Sequence, residues 1–145
     1  MNFFFLRHTS LNIAKDIFYG QTDIDVSKNF NKELNLGDWE MKPKSKISRK
    51  LIKEWEENLI KFKIPNGESN QDFLKRLKKF LDEIKKYDQD VLIVSHAGSI
   101  NGMMSILTGQ PFDKLLKNYW EKIDYGSLSL VESEGNSFNI KYVGK

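Results

Sequence analysis

The run Asp90-Val91-Leu92-Ile93-Val94-Ser95 is followed at once by His96-Ala97-Gly98 and then by an apolar stretch from Ser99 to about Leu107. Residues 91 to 94 are all β-branched or Leu between polar ends, the pattern of a short strand. The stretch behind them is too long for such a strand and is closed by Gly109 and Pro111, so it reads as a helix. Strand, turn and helix in that order are the building unit of an α/β sheet. Phe3 to Leu6 is a second short apolar strand, and Arg7-His8 follows it just as His96 follows the first.

The rest of the chain fits the same class. Ile47, Leu51, Ile52, Trp55, Leu59 and Ile60 recur at three- and four-residue steps and predict an amphipathic helix over Ser45 to Phe62. Pro65-Asn66-Gly67 breaks it. Ser69 with Asp72 three residues on is a capping-box-like start for a second helix reaching about Tyr87. A short helix is expected over Asp113 to Trp120. Ser127 to Glu132 and Phe138 to Tyr142 read as two strands joined by Ser133-Glu134-Gly135-Asn136. The three tryptophans, Trp39, Trp55 and Trp120, are expected in the core or a pocket wall. The expected fold is α/β, a three-layer α/β/α sandwich whose mixed, mostly parallel sheet has about four strands. The 145 residues are expected to form a single domain, 1–145.

Composition narrows the chemistry. There is no cysteine, which removes thiolate nucleophiles and cysteine-based metal sites. The net charge of +3 comes from 20 Lys and 3 Arg interleaved with 20 acids. That leans toward anionic partners without the clustered basic and stacking residues of a nucleic-acid groove, so no nucleic-acid partner is expected. Phe3 to Leu6 is too short for a signal core or a membrane span, so no membrane partner is expected and a cytoplasmic location is the default.

The two histidines, His8 and His96, each stand just after an apolar strand. Ligands bind at the carboxyl ends of parallel strands, so both imidazoles are expected in one crevice. A lone loop histidine is usually without a role, but two in equivalent positions beside an arginine suggest a site. Arg7 offers a planar fork of donors, and the helix beginning near Gly98 adds amides and the positive end of its dipole, Ala97 among the donors. Both favour an anion. A neutral imidazole can attack phosphorus while a second one stabilises charge on the equatorial oxygens. Two histidines with no placed carboxylate make an incomplete metal site, so neither metal nor cofactor is expected.

At these positions the sequence resembles the histidine phosphatase superfamily, the phosphoglycerate-mutase-like enzymes, and within it the α-ribazole-phosphatase-like branch. The resemblance rests on Leu6-Arg7-His8-Thr9-Ser10, Tyr19-Gly20-Gln21-Thr22-Asp23, the block from Glu33 to Glu40, Pro65-Asn66-Gly67-Glu68-Ser69 with Asp72 and Arg76, Val94-Ser95-His96-Ala97-Gly98, and Tyr125-Gly126-Ser127. These blocks run in the family order across most of the chain. The resemblance implies that His8 is the nucleophile, that Arg7 and His96 bind the phosphoryl group, and that Glu33 protonates the leaving oxygen and then activates water. It places Thr9, Tyr19 and Gln21 at the substrate and makes Glu68, Asp72 and Arg76 structural. The implied activity is hydrolysis of a small phosphorylated substrate, α-ribazole phosphate being the branch's suggestion.

One departure is large. In the family a longer segment, with a second phosphate-binding arginine after a Ser-Ser-Pro-like strand end, separates the Gly-Gln-Thr-Asp loop from the Glu-containing block; here Ile24 to Lys32 bridges them directly. The only other arginines are Arg49 and Arg76. Losing such a donor commonly costs about 2.7–4 kcal/mol of transition-state stabilisation, which leaves a catalytically weak or silent phosphate-ester or phosphoprotein-binding module as the alternative. Arg49, Lys42, Lys44 or Lys46 is a candidate substitute. The resemblance also implies the strand order Val91–Ser95, Phe3–Leu6, Ser127–Glu132, Phe138–Tyr142, with the third strand antiparallel to its neighbours. Val91–Ser95 then lies at an apolar edge, which a homodimer or the Lys44–Phe62 helix is expected to cover.

Overall fold

The computed structural model describes residues 1–8 and 34–145. The chain order is β1 (Asn2–Arg7), α1 (Arg49–Glu57), α2 (Asn70–Ile84), β2 (Val91–Ser95), α3 (Ala97–Thr108), α4 (Phe112–Tyr119), β3 (Leu128–Glu134) and β4 (Ser137–Tyr142). Single 3-10 turns lie at Gly37–Trp39, Lys44–Lys46 and Lys85–Tyr87. The described residues gather into two compact units, residues 1–8 with 74–145 and residues 34–73.

In the first unit the strands form one four-stranded sheet in the order β2-β1-β3-β4. β1 pairs parallel with β2, bringing Arg7 opposite Ser95, and antiparallel with β3, bringing Leu6 opposite Leu128. β3 pairs antiparallel with β4 down to Glu134 opposite Ser137. The order and the reversed third strand are those expected. Three strands share one direction, yet only the β1–β2 pairing is parallel, because the last two strands are a hairpin. That hairpin turns in two residues, Gly135-Asn136, rather than the four expected, because pairing continues through Ser133 and Glu134.

Side chains alternate across a strand, so Phe3 and Phe5 share a face with their register partners Val131 and Ile93. All four are buried. The Phe3 ring stacks on Phe5 and meets Phe138 edge-on, with centroids 6.2 and 5.7 Å apart. The other face carries Leu92 and Val94, both exposed on the edge strand β2. α3 is buried nearly all round, as its mostly small and apolar sequence allows, and it packs on β1, β4 and α4. Gly102 brings α3 close to α2: a Cβ there would lie 2.6 Å from Leu77 Cδ1. Trp120 is half exposed rather than core, because it follows the last residue of α4.

The second unit has its own core of Leu36, Trp39, Ile47, Ile52 and Ile64, edged by Leu34, Leu51, Trp55 and Phe62. Trp39 meets Trp55 edge-on at 5.9 Å and stacks on Phe62 at 5.8 Å. Gly37, at φ +46, sits against the 65–67 turn so closely that a Cβ would run into the Pro65 carbonyl and the Gly67 amide. α1 is shorter than the helix expected over Ser45–Phe62: Asn58 leaves helical geometry at φ −135, ψ 49. The carbonyls beyond it are taken by the next helix start, Leu59 by Asn70 Nδ2 at 2.8 Å and Ile60 by the Gln71 amide at 2.9 Å. At that start the Asp72 amide donates to Ser69 Oγ at 3.1 Å, the hydroxyl cap the spacing predicted, and the hydroxyl in turn donates to the Asp72 carboxylate at 2.9 Å.

Candidate active site

The parallel pairing of β1 with β2 puts the residues leaving both strands side by side. The His8 amide donates to the Ser95 carbonyl at 3.0 Å, carrying the ladder one residue past β1. The two imidazoles therefore meet, with ring centroids 4.6 Å apart and planes at 69°. Both are largely buried, His8 at 4% and His96 at 9% exposure. His96 has extended backbone, φ −107 and ψ 158, and is the N-cap of α3, so the helix begins at Ala97 and not at Ser99.

The start of α3 is suited to an anion. Among the described residues the His96 side chain makes no cap hydrogen bond to it, and no acidic residue stands in its first turn. The first amides of a helix and the positive end of its dipole favour an anion. Ala97 is buried there, its carbonyl held by Asn101 Nδ2 at 3.0 Å.

Arg7, the last residue of β1, is held from two directions. Its Nη1 donates to the Ile123 carbonyl at 2.6 Å, and its Cζ lies 3.9 Å from the centroid of the Tyr125 ring. Tyr125 also flanks His8, the rings 5.7 Å apart and tilted by 59°. The sequence reading gave Tyr125 no role. The signal was the antiparallel pairing of β3 with β1, which lays the residues entering β3 beside those leaving β1.

The structure thus brings Arg7, His8, His96 and Ala97 together. Thr9, Tyr19, Gln21 and Glu33 lie outside the described residues. Arg49 and Lys42, Lys44 and Lys46 belong to the second unit, Arg49 opening α1. Glu68 and Asp72 have structural work there: Glu68 Oε2 accepts from the Asn35 amide at 3.1 Å, and Asp72 caps α2. Among the described residues no helix is long and apolar enough to cross a membrane.

Paired histidines beside an arginine and an uncapped helix start can hold a phosphoryl group against an imidazole nucleophile. Comparison with known proteins points the same way. The profile of the "Histidine phosphatase superfamily (branch 1)" matches residues 21–145. A Hydrogenobacter thermophilus protein provisionally named phosphoserine phosphatase 2 is 28% identical over 119 residues, 79% of this chain and 57% of its own length. The adenosylcobalamin/alpha-ribazole phosphatase of Escherichia coli is 28% identical over 136 residues, 87% of this chain and 61% of its own. The chain therefore spans about three-fifths of the curated relatives it matches. The alpha-ribazole phosphatase of Shigella flexneri has the same fold, with a TM-score of 0.80 at 20% identity over 100% of this chain and 96% of that one. On the profile match across most of its length, this chain belongs to the histidine phosphatase superfamily, branch 1.

Proposed function

We propose that the chain is a metal-independent phosphatase that hydrolyses small phosphate monoesters through a phosphohistidine on His8. The observation that carries this reading is the pair of imidazoles 4.6 Å apart at adjoining strand ends, with Arg7 beside them. His8 attacks phosphorus in line, forming the N–P bond as the P–O bond to the leaving group breaks. Glu33 gives its proton to that leaving oxygen. Arg7, His96 and the first amides of α3, Ala97 included, hold the equatorial oxygens, while Thr9, Tyr19 and Gln21 contact the substrate. Water then attacks phosphorus, its proton passes to Glu33, the N–P bond breaks and inorganic phosphate leaves. The names of the relatives make phosphoserine and α-ribazole phosphate the first substrates to try.

The test is p-nitrophenyl phosphate hydrolysis in excess EDTA, parent beside His8→Ala. Turnover that resists EDTA and vanishes in the variant supports the reading. One observation favours a rival: the sequence has no second arginine after a Ser-Ser-Pro-like strand end. A catalytically silent phosphate-ester-binding module would give no turnover in either protein, while phosphate still raises the melting temperature of the parent.

A further inference from the structure

Tyr125 is a partly exposed aromatic residue placed against the candidate site. Its side chain is at the surface, 38% of the residue exposed, yet its ring lies 3.9 Å from Arg7 Cζ and 5.7 Å from the His8 ring. The backbone fixes that placement. The Arg7 amide donates to the Ser127 carbonyl at 3.0 Å, and the Gly126 amide donates to the carbonyls of Arg7 and His8 at 3.0 and 3.3 Å. Residues 126 and 127 are thus tied to residues 7 and 8, and the side chain just before them falls across the two groups that would handle phosphate.

We propose that Tyr125 is a positioning residue for phosphoryl binding, acting by holding the Arg7 guanidinium in one plane. This rests on the phosphatase reading and deepens it. Guanidinium donors lie in the plane of the group, whereas stacking uses its face. The ring therefore immobilises Arg7 without consuming an N–H, and the Ile123 carbonyl takes a donor on Nη1 only. Other donors of the fork stay in a fixed plane for phosphoryl oxygens. Without the ring, the Ile123 carbonyl is the side-chain tether left to Arg7 among the described residues, the guanidinium can rotate about it, and more of the ordering has to occur on binding.

The experiment compares the parent with Tyr125→Leu and Tyr125→Phe, all checked for native far-UV circular dichroism and melting temperature. Affinity for inorganic phosphate is read by titration, and KM and kcat with p-nitrophenyl phosphate. Tyr125→Leu is expected to weaken phosphate binding and raise KM by about three- to thirtyfold, the range of a lost cation–π contact, with kcat changed less. Tyr125→Phe, which keeps the ring, is expected to recover most of that loss. A structural role alone would lower the melting temperature and leave phosphate affinity and KM in place. The proposal is overturned if Tyr125→Leu binds phosphate as the parent does, or if Tyr125→Phe loses as much as Tyr125→Leu. If the parent binds phosphate but hydrolyses no ester, the phosphatase reading fails and the phosphate series still decides the role of Tyr125. A parent that does neither overturns both.

Discussion

Replacing Gly37 by Ala tests the packing of the second unit, because strain and collision act there at once. At φ +46 an L-residue pays about 1–2 kcal/mol for the left-handed conformation. The new Cβ would also meet three backbone atoms, the Pro65 oxygen, the Gly67 nitrogen and the Asn66 carbonyl carbon, the last at 2.5 Å. Backbone cannot rotate away as a side-chain tip can, so the 65–67 turn must retreat by roughly an ångström to reach ordinary contact, at about 1–3 kcal/mol for overpacking. That turn is fastened by backbone hydrogen bonds from the Asp38 amide to the Pro65 carbonyl at 2.9 Å, from the Gly67 amide to the Ile64 carbonyl at 2.8 Å and from the Glu68 amide to the Asn35 carbonyl at 2.9 Å, and by Asn66 Nδ2 donating to the Asp38 carboxylate. Weakening one of them adds about 1 kcal/mol. The expected loss is about 3–6 kcal/mol, a large part of the ~5–15 kcal/mol by which such a chain is stable. Gly109→Ala is the control, since Gly109 is also left-handed, at φ +70, but has nothing within 4 Å of the added Cβ, so it pays for strain alone. Urea unfolding followed by far-UV circular dichroism and by tryptophan fluorescence, which reports on buried Trp39, measures both variants. If Gly37→Ala costs no more than Gly109→Ala, the collision argument is wrong.

Three further outcomes are expected. Gly102→Val should destabilise by about 1–3 kcal/mol in urea titration, with Gly102→Ala much milder, because the first atom met is the movable tip of Leu77; equal losses would refute the reason given. The Lys141 hydrogen bond and charge hold the Glu134 carboxyl below its usual value, so any stability it lends is present above the ordinary glutamate range and fades as pH falls through the lowered value. Lys141→Met should move the Glu134 midpoint upward in an NMR titration, and an unchanged midpoint would contradict the assignment. The edge strand β2 exposes Leu92 by 60% and Val94 by 37% and carries neither proline nor charge, so we propose a homodimer through this edge. Light scattering should give twice the chain mass of 17.0 kDa, and Val94→Lys should return the monomer; a parent monomeric at all concentrations would end the idea.

The parts of the fold that were legible in sequence are those where a short-range pattern and a chain-level rule agree. Val91–Ser95 has one reading as a strand, and the rule that ligands sit at the carboxyl ends of such strands was enough to join His8 to His96. The misreadings lie where a distant partner overrides a local pattern. Leu59 and Ile60 keep the helical period, but their carbonyls bond to Asn70 and Gln71, and the helix stops at Glu57. Tyr125 has no local signature either. Its place over Arg7 follows from the β1–β3 register, which no spacing within the Tyr125-Gly126-Ser127 block encodes.

The bridged segment gives the clamp on Arg7 its weight in the proposed reaction. A phosphoryl group in transfer spreads charge over three equatorial oxygens, so its stabilisation depends on how many donors stand in place before the reaction begins. With two arginines, one fork can hold the group while the other adjusts. A cradle of Arg7, His96 and the start of α3 has a single fork, and the helix contributes only about half a unit of charge. If Arg7 swings out, the remaining donors cannot retain the oxygens in line with His8. The short Nη1 contact to the Ile123 carbonyl and the Tyr125 ring oppose that state, and both come from the segment entering β3. Rigidity of one arginine can thus substitute in part for the number of arginines, which is why loosening Arg7 through Tyr125 should cost more here than the same change would in a two-arginine site.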